Sequence, residues 1–577
     1  MTTYVARTIT RKSSRASEPS VMFASWRLLV LAALFLAFSL LIIGRLASLA
    51  LFEGTRAFGA TTTQYVPPRG DIVSRNGVPL ARSIRAYAIW VRPGAILGDK
   101  RELAAQLSQI FPKKSADDFY AKLTAAKPGY LMNRALPEQV RRVHDLGEIA
   151  IEFPREDERL YPQHSLAAHV LGFVNRDGKG ALGMERVMND HLSDPETRAE
   201  PIQLSLDERV QAALESELAS GMRATGAKGA AGIILDVQTS EVLAMATLPS
   251  FNPNRPVFAN IPEQGLEIID GRTPLSRQVN TVTNRVYELG STFKPLTIAA
   301  ALDAGTVRDL AIRYDATGPL EIGNFKIRDS HPMGRWLNVP ETLVHSSNIT
   351  TARIADNLGK QRMEAMLLDL EFNKKPAIEL GERATPLWPK NWGRITNMTV
   401  GYGHGISVTP LHLANAYAAM VNGGIWRPAT LMKVKEGQKR PERRVFKAAT
   451  SARMRQLLRM IVADGTGKKA DAAGYRVGGK TGSAEKASDS GGYDEHLVLA
   501  TFAAAFPMDN PRYVIVTMVD EPIGTQASGF QRTAGWTAAP IVEKTVKRVG
   551  PLLGIIPDTK RDVDVSELMP LLWKPGG

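Results

Sequence analysis

Three short strings in this chain contain side chains that could together perform nucleophilic chemistry. Ser291 stands three residues before Lys294, Ser346 stands two before Asn348, and Lys480 opens a Lys-Thr-Gly run. Positions i and i+3 of a helix share one face, so Lys294 is expected beside the Ser291 hydroxyl. A serine hydroxyl is a poor nucleophile until a base takes its proton. The strings therefore predict a serine acyl-transfer site with a lysine as its base.

Each string is weak evidence when it is taken alone. A Ser-x-x-Lys match occurs by chance roughly once or twice in a chain of this length. The signal is the order of the strings and their spacing, with 55 residues between Ser291 and Ser346 and 134 between Ser346 and Lys480. The three strings are therefore interpreted as one site.

The other polar residues of the strings have expected roles around the nucleophile. Lys294 can act as a base only when it is neutral, which requires a dry and positively charged pocket that lowers its pKa. Lys480 would supply part of that field. Ser346 could relay a proton to or from the amine, and Asn348 could hydrogen-bond a substrate amide.

The residues after Lys480 predict a strand that another backbone approaches closely. Residues 475–479 are glycine-rich, and Gly482 follows within the same run. We expect a substrate peptide to add here as an extra strand. Thr481 and Ser483 would then bind its terminal carboxylate, with Lys480 as the cation. An ordinary edge-strand lysine followed by a turn is the alternative for this string alone.

The sequence around Ser291 predicts that it lies at the beginning of a buried helix. Pro295 suits a first helical turn, where backbone N–H groups lack partners, and residues 296–302 are almost wholly apolar. The positive end of that helix would lie next to the oxyanion that forms on attack. A serine helix cap with a solvated lysine is the alternative, but it leaves the other two strings unexplained.

Composition excludes several other classes of protein. The chain has 577 residues, which predicts several domains, and no cysteine, which excludes disulfides and thiolate sites. The nine histidines show no His-Glu-x-x-His spacing, so no metal or other cofactor is predicted, and His345 and His404 are interpreted as loop or packing residues. The net charge of +14 comes without any nucleic-acid-binding motif, so it suits anionic lipid or a cell-wall polymer.

An apolar run near the N-terminus predicts a membrane anchor. Residues 28–44 carry no charge and would span roughly 25 Å as a helix, and the apolar character continues after Arg45. The basic flank before the run places a cytoplasmic tail at residues 1–27 and the remainder outside the cell. We expect an uncleaved anchor at residues 28–50, and a signal peptide cleaved near residues 48–50 is the alternative.

The rest of the chain divides into three predicted parts. Residues 51–200 mix short strands with polar helices and carry no catalytic constellation, which indicates a mixed α+β pedestal or partner-binding module. Residues 201–556 carry the three strings on a predicted α/β (α+β) fold, a sheet with helices on both faces. Residues 557–577 form a tail. Buried strands are expected at 231–237, 241–245 and 513–519, helices at 100–111, 208–219 and 541–553, and a hairpin turn at residues 76–77.

With these strings and several further motifs, the chain resembles the class B penicillin-binding proteins, which are peptidoglycan D,D-transpeptidases. The resemblance runs from the anchor to about residue 550. Besides the three strings it rests on Arg69-Gly70-Asp71-Ile72, Leu206-Asp207, Gly401-Tyr402-Gly403 and the proline-containing runs at residues 249–254, 407–410 and 538–540. The run at residues 480–486 favours the division-specific, FtsI-type branch. Leu289, Ser483 and Ser74 depart from the usual residues of the family, and Ser483 keeps the hydroxyl that carboxylate binding needs.

The resemblance implies a reaction, a location and partners. Ser291 would attack the carbonyl between the two terminal D-alanines of a stem peptide, and the amine of a neighbouring strand would then take the acyl group. The backbone N–H groups of Ser291 and Ser483 would hold the oxyanion, and β-lactams would acylate Ser291. The family implies a single-pass protein of the inner membrane at the division septum, with a periplasmic catalytic domain. Its partners would be an FtsW-type lipid II glycosyltransferase and other division proteins.

Three alternatives use the same residues. The chain could be an elongation-specific transpeptidase, or a D,D-carboxypeptidase or β-lactamase that gives the acyl group to water. A non-catalytic sensor of β-lactams or a scaffold of the division site is the third. The intact Lys294, Asn348 and Lys480 argue against a silent protein.

Overall fold

The structure is a computed structural model that divides the chain into two units. It describes residues 18–48, 69–175, 177–256, 277–487 and 493–572. The units are residues 1–67 and 68–577, and each is described here by itself. Residues 1–17 of the predicted tail at 1–27 and the last two residues of the predicted anchor lie outside the described residues.

The N-terminal unit contains one long helix, α1 (Glu18–Ser48). Its large apolar side chains are widely exposed, with Phe35 at 75%. Nevertheless, in the part of the chain that the structure describes, no helix meets the combined requirement of length and apolar character for crossing a bilayer. The expected anchor at residues 28–50 is therefore not confirmed by the structure.

The first part of the second unit is built on a six-stranded sheet with β2 at its centre. Strand β2 pairs with β1, β3, β4 and β5, while β1 also pairs with β6 in parallel. The strands are β1 (Ile72–Val73), β2 (Pro79–Val91), β3 (Gly129–Ala135), β4 (Ile151–Glu152), β5 (Arg155–Leu160) and β6 (Ile202–Gln203). The helices are α2 (Lys100–Ile110), α3 (Ala116–Leu123), α4 (Pro137–His144), α5 (Ala168–Leu171), α6 (Gly183–Val187) and α7 (Asn189–Ser193). The expected helix at 100–111 and the hairpin turn at residues 76–77 are present, with Gly77 at φ +81°.

A buried carboxylate joins the motifs of this part of the chain. Glu185 is fully buried and accepts hydrogen bonds from Arg69 at 2.7 Å and from Arg159 at 2.6 Å. Arg159 also donates to the carbonyl oxygen of Gly70 at 2.7 Å. Two guanidinium groups thus compensate one buried charge, which is the condition for a stable buried carboxylate. The Arg-Gly pair of the sequence motif is therefore part of the packing of this region.

The second part begins with α8 (Glu208–Ala224) and is organised around a five-stranded antiparallel sheet in the order β15-β16-β17-β7-β8. The sheet strands are β7 (Gly229–Asp236), β8 (Val242–Leu248), β15 (Gly478–Ala487), β16 (Tyr493–Phe506) and β17 (Tyr513–Asp520). Short strand pairs are formed by β9 (Tyr314–Ala316), β10 (Leu320–Ile322), β11 (Phe325–Ile327), β12 (Arg335–Leu337), β13 (Ile425–Trp426) and β14 (Arg443–Arg444). The remaining helices are α9 (Thr281–Asn284), α10 (Lys294–Asp303), α11 (Val339–Val344), α12 (Asn348–Leu358), α13 (Lys360–Asp369), α14 (Arg394–Gly401), α15 (Pro410–Val421), α16 (Ala448–Asp464) and α17 (Ala539–Leu552).

Both faces of this sheet are buried by helices. Along β7, Ile233 and Leu235 belong to the core shared with α10, α15 and α16, whereas Ile234 belongs to the core shared with α8 and α17. Successive side chains of a strand point to opposite faces, so a strand covered on both faces is apolar throughout. The prediction of a sheet between two helical layers is confirmed, and the sheet is antiparallel throughout.

Strand β15 forms one edge of the sheet. It pairs with β16 over its length, with Lys480 opposite Ala503. Among the described residues no strand pairs with its other edge. That edge consequently presents backbone donors and acceptors that another extended peptide could use.

The segment after α17 is packed along the domain. Leu568 is buried, and Asp562 makes a two-oxygen ion pair with Arg459 of α16 at 2.7–3.0 Å. At its end, the carbonyl oxygen of Leu571 accepts a hydrogen bond at 2.6 Å from Asn338, whose side chain caps α11. The sequence predicted a tail of unknown role here, and the structure shows that residues 558–572 belong to the fold.

Candidate active site

Ser291 lies in a tight turn that leads into α10. Residues Gly290–Phe293 form a 3₁₀ turn, and the helix Lys294–Asp303 continues from it. The buried helix expected after Ser291 is therefore present. In the described part of the chain, the Ser291 hydroxyl has no hydrogen-bond partner, so it can approach a ligand.

The turn is held in place by groups from distant elements. Tyr417 of α15 donates from its hydroxyl to the carbonyl oxygen of Thr292 at 2.9 Å, and the Thr292 hydroxyl donates to Leu289 at 2.8 Å. Gly403, at φ +87°, lies so close that a Cβ there would be 2.1 Å from the Gly290 carbonyl oxygen. The position of Ser291 is thus fixed from both sides of its turn.

Lys294 reaches Ser346 across the site. The Lys294 side chain is fully buried, and its amine donates to the carbonyl oxygen of Ser346 and, at 3.1 Å, to the Ser346 hydroxyl. Among the described residues it makes no hydrogen bond to Ser291, the neighbour that helical spacing predicted. Its amine is therefore oriented by the second string of the sequence.

Ser346 joins the two lysines. Its backbone has φ +61°, an unusual value for a residue with a side chain, and its hydroxyl oxygen also accepts a hydrogen bond from the Lys480 amine at 2.9 Å. Strained residues of this kind persist only where the surrounding structure holds them, as at functional sites. The structure thus brings Lys294, Ser346 and Lys480 into one hydrogen-bonded group.

Burial lowers the proton affinity of both amines. Burial and the neighbouring Lys480 charge hold the pKa of Lys294 well below its usual value, although Asp329 acts in the opposite direction. Burial lowers the pKa of Lys480 to about 7. Both amines therefore give up their protons more readily than an exposed lysine does, as a lysine that acts as a base requires.

Asp329 positions Asn348. One Asp329 oxygen accepts from the backbone N–H of Asn348 at 2.6 Å, and the other accepts from the Ser347 hydroxyl at 2.7 Å. A carboxylate at a helix N-terminus stabilises the unpaired N–H groups of the first turn. The Asn348 side chain donates to the Arg328 carbonyl oxygen at 3.0 Å, and it is half-buried beside the group formed by the lysines and Ser346.

The string that begins at Lys480 lies on the edge strand β15. The Thr481 hydroxyl is 2.9 Å from the Thr466 hydroxyl, and the Ser483 hydroxyl oxygen accepts from the Ala534 backbone N–H at 3.0 Å. Since that oxygen accepts a bond, the hydroxyl proton of Ser483 can be donated to a ligand. A Cβ at Gly482 would lie 2.5 Å from the Leu289 carbonyl oxygen, so a glycine is needed where β15 passes the Ser291 turn.

Sequence reasoning missed Thr466, Asp329 and Tyr417. Each contacts a predicted site residue or its turn, but each lies far from its partner in the chain and in no recognised string. Gly403 was part of a quoted motif, and its close approach to Gly290 was not foreseen. In the described ranges no cluster of His, Cys, Asp and Glu is arranged to hold a metal ion.

Comparison with known proteins agrees with this geometry. Residues 230–547 match the family model of the penicillin-binding protein transpeptidase domain, and residues 64–197 match that of the penicillin-binding protein dimerisation domain. A relative from Caulobacter vibrioides, named probable peptidoglycan D,D-transpeptidase FtsI, is 36% identical over 88% of this chain and 85% of its own length. The peptidoglycan D,D-transpeptidase FtsI of Escherichia coli K12 is 29% identical over 97% of both chains.

A solved structure shows the same fold. Penicillin-binding protein 3 of Mycobacterium tuberculosis, crystallised with aztreonam, superposes with a TM-score of 0.66 and 24% identity over 85% of this chain and 97% of that one. At this identity the likeness concerns the fold. The two family matches and the 36% identical relative show that this chain belongs to the FtsI-type penicillin-binding transpeptidases, the family that its three strings and its further motifs predicted.

Proposed function

We propose that this protein cross-links the stem peptides of septal peptidoglycan through an acyl-enzyme on Ser291. The observation that carries the proposal is the buried group in which Ser346 accepts hydrogen bonds from both Lys294 and Lys480. A neutral amine, a relaying hydroxyl and a remaining cation are the parts that serine acyl transfer requires. The names of the FtsI relatives support the assignment to cell division.

The acylation step uses the residues of the three strings. The Ser291 oxygen attacks the carbonyl between the two D-alanines, and neutral Lys294 accepts the hydroxyl proton. The backbone N–H groups of Ser291 and Ser483 stabilise the oxyanion. When the C–N bond breaks, protonated Lys294 returns this proton to the Ser346 hydroxyl, which passes its own proton to the leaving D-alanine amine, so that acyl-enzyme, neutral amine and neutral Lys294 result.

The substrate is held along the edge of β15. Its backbone adds to the free side of that strand, and Asn348 binds one of its amides. The terminal carboxylate binds Lys480 together with the hydroxyls of Thr481 and Ser483, while Gly482 allows the close approach of the Ser291 turn. In the second step an amine of another stem peptide attacks the ester, and Ser291 recovers its proton.

Two further proposals concern the organisation of the chain. Residues 51–200 serve as a non-catalytic pedestal and residues 201–556 as the transpeptidase domain, a division supported by the position of the ordered set of three strings within the second part. The exposed apolar side chains of α1 and the basic residues before them support attachment to the inner membrane, with the catalytic domain outside. Fractionation of cells that express the chain with and without residues 18–48 tests this attachment.

A labelling experiment tests the acyl-enzyme. The full-length protein is expected to form a stable adduct with fluorescent penicillin on the peptide that contains Ser291. Ser291→Ala should abolish the label, whereas Ser566→Ala, which replaces an exposed serine of the C-terminal segment, should leave it unchanged. Rapid turnover of penicillin would indicate a β-lactamase and would overturn the transpeptidase assignment.

Complementation tests the function in cells. In a strain depleted of its own enzyme, the native chain should restore septation and Ser291→Ala should not. If Ser291→Ala restored division equally well, a scaffold or sensor would be the better description. Distribution along the side wall instead of mid-cell would favour the elongation-specific alternative, and co-purification tests the proposed FtsW-type partner.

A further inference from the structure

A cavity of about 530 Å³ lies beside the catalytic elements and takes no part in the chemistry described above. Its walls come from the strand pairs inserted after α10 and from helices α12 and α14. The aromatic and polar side chains of its walls include those of Trp336, Arg353, Asp356, Asn357 and Arg394. Its volume lies within the range of about 300–1,000 Å³ that is typical of small-ligand sites.

The arginines of this cavity already face carboxylates. Arg394 forms a two-point ion pair with Asp356 at 2.8 and 2.6 Å, and Arg353 lies 3.6 Å from a carboxylate oxygen of Asp315. The third arginine of the walls, Arg313, lies 3.3 Å from Glu341. The cavity therefore has no excess of positive charge to attract a phosphate or a carboxylate, and a neutral polar ligand fits it better.

The remaining groups are suited to a sugar. Trp336 is 53% exposed at the cavity wall, so an apolar ring face is open to a flat partner. Asn357 is exposed, and its amide makes no hydrogen bond within the described residues. The paired guanidinium and carboxylate groups are held in place, so their hydrogen-bond donors and acceptors point in fixed directions. The hydroxyl and acetamido groups around a sugar ring can bind to such an arrangement.

The cavity lies within the length of a stem peptide from Asn348. Helix α12 begins at Asn348, and Asp356 stands eight residues later, which corresponds to about 12 Å along the helix. An extended peptide of about four residues, the part of the stem before the attacked carbonyl, spans at most roughly 14 Å. A sugar that carries the stem peptide can thus reach the cavity while an amide of that peptide lies at Asn348.

We propose that this cavity binds the N-acetylated amino sugar to which the donor stem peptide is attached. The inference rests on the proposed function, because the cavity recognises the glycan part of the same substrate. Trp336 packs against the ring, and Asn357 with the Arg394–Asp356 pair binds its acetamido and hydroxyl groups. The enzyme would then select peptides that are joined to a glycan strand over free peptides.

Release of D-alanine from two donors tests the proposal. One donor is the stem pentapeptide on its disaccharide, and the other is the same pentapeptide without sugar. In the full-length protein, Trp336→Ala is expected to raise the KM of the glycan-linked donor about tenfold and to leave the free peptide unchanged. Phe325→Ala, which removes an exposed aromatic of β11 outside the cavity, is the matched control and should change neither KM.

A direct binding measurement tests the proposed sugar site even if Trp336→Ala folds poorly. The full-length native chain, with 5-fluorotryptophan at its eight tryptophans, is titrated with the peptide-free disaccharide. One fluorine resonance should shift when the disaccharide is added, and the same resonance should be absent from the spectrum of the Trp336→Phe variant. No shift, or equal effects of Trp336→Ala on both donors, would overturn the cavity assignment, whereas failure of both donors to acylate Ser291 would overturn the proposed function itself.

Discussion

Replacing Gly403 by alanine would place a methyl group against the backbone of the Ser291 turn. The added Cβ would lie 2.1 Å from the Gly290 carbonyl oxygen, whereas ordinary contact begins at 3.4 Å. The two segments must therefore separate by about 1.3 Å, the difference between these distances. Gly290 immediately precedes Ser291, so the nucleophile moves with the turn.

The expected loss of activity follows from that displacement. A misplacement of about 1 Å at a reacting group costs roughly a hundredfold in rate. The left-handed backbone at Gly403, φ +87°, adds roughly 1–2 kcal/mol of strain for any residue with a side chain. We therefore expect Gly403→Ala to acylate with penicillin about a hundredfold more slowly and to unfold at a lower temperature.

A second glycine separates these two effects. Gly359 has nearly the same φ, +83°, but a Cβ added to it would have no other atom within 4 Å. Gly359→Ala should show the same loss of thermal stability with a normal acylation rate, measured by stopped-flow with fluorescent penicillin. If Gly403→Ala acylated within about threefold of Gly359→Ala, the argument that Gly403 fixes the Ser291 turn would be refuted.

Three other predictions follow from the buried lysines and the C-terminal segment. Lys294→Ala should lower the acylation rate by about 10²–10⁴-fold with an unchanged circular dichroism spectrum, because it removes the base; a smaller loss would assign proton transfer to another group. The acylation rate with carboxylate-bearing β-lactams should fall as the pH rises above about 7, where Lys480 loses its charge. In the unfolded chain Lys480 keeps its proton up to a pKa of about 10.4, so between pH 7 and this value the unfolded state binds more protons than the folded one. The free energy of unfolding should therefore rise with pH in this interval. Lys480→Met should reduce that rise by about 1.4 kcal/mol per pH unit, measured by denaturant titrations at several pH values. Asp562→Asn should lower the free energy of unfolding by about 1–2 kcal/mol, since it breaks the pair with Arg459, while Glu567→Gln on the exposed surface should change it by less than about 0.5 kcal/mol.

Local patterns predicted much of the fold. The buried strands, the helix after Ser291 and the hairpin at Gly77 follow from apolar runs and turn residues, and each is present. The meeting of Lys294 with Lys480 was also predicted, although the structure routes it through the hydroxyl of Ser346. The local conformational preferences of these residues are therefore consistent with the tertiary structure.

The contacts that sequence reasoning did not find join distant parts of the chain. Asp329 accepts a hydrogen bond from Ser347, and Thr466 lies beside Thr481, but no periodicity or turn rule connects the members of either pair. The same holds for the pair of Asp562 with a helix 103 residues earlier. Such pairings depend on how the layers pack, and a single sequence does not reveal them.

The C-terminal segment has a consequence for the order in which the catalytic domain can be completed. Asp562 and Leu571, which bind Arg459 and Asn338, come after these partners in the chain by 103 and 233 positions respectively. During synthesis, the residues of the three strings emerge before this segment does. Asn338, which caps the helix that leads to Ser346, therefore finds its hydrogen-bond acceptor only after Leu571 has been synthesised.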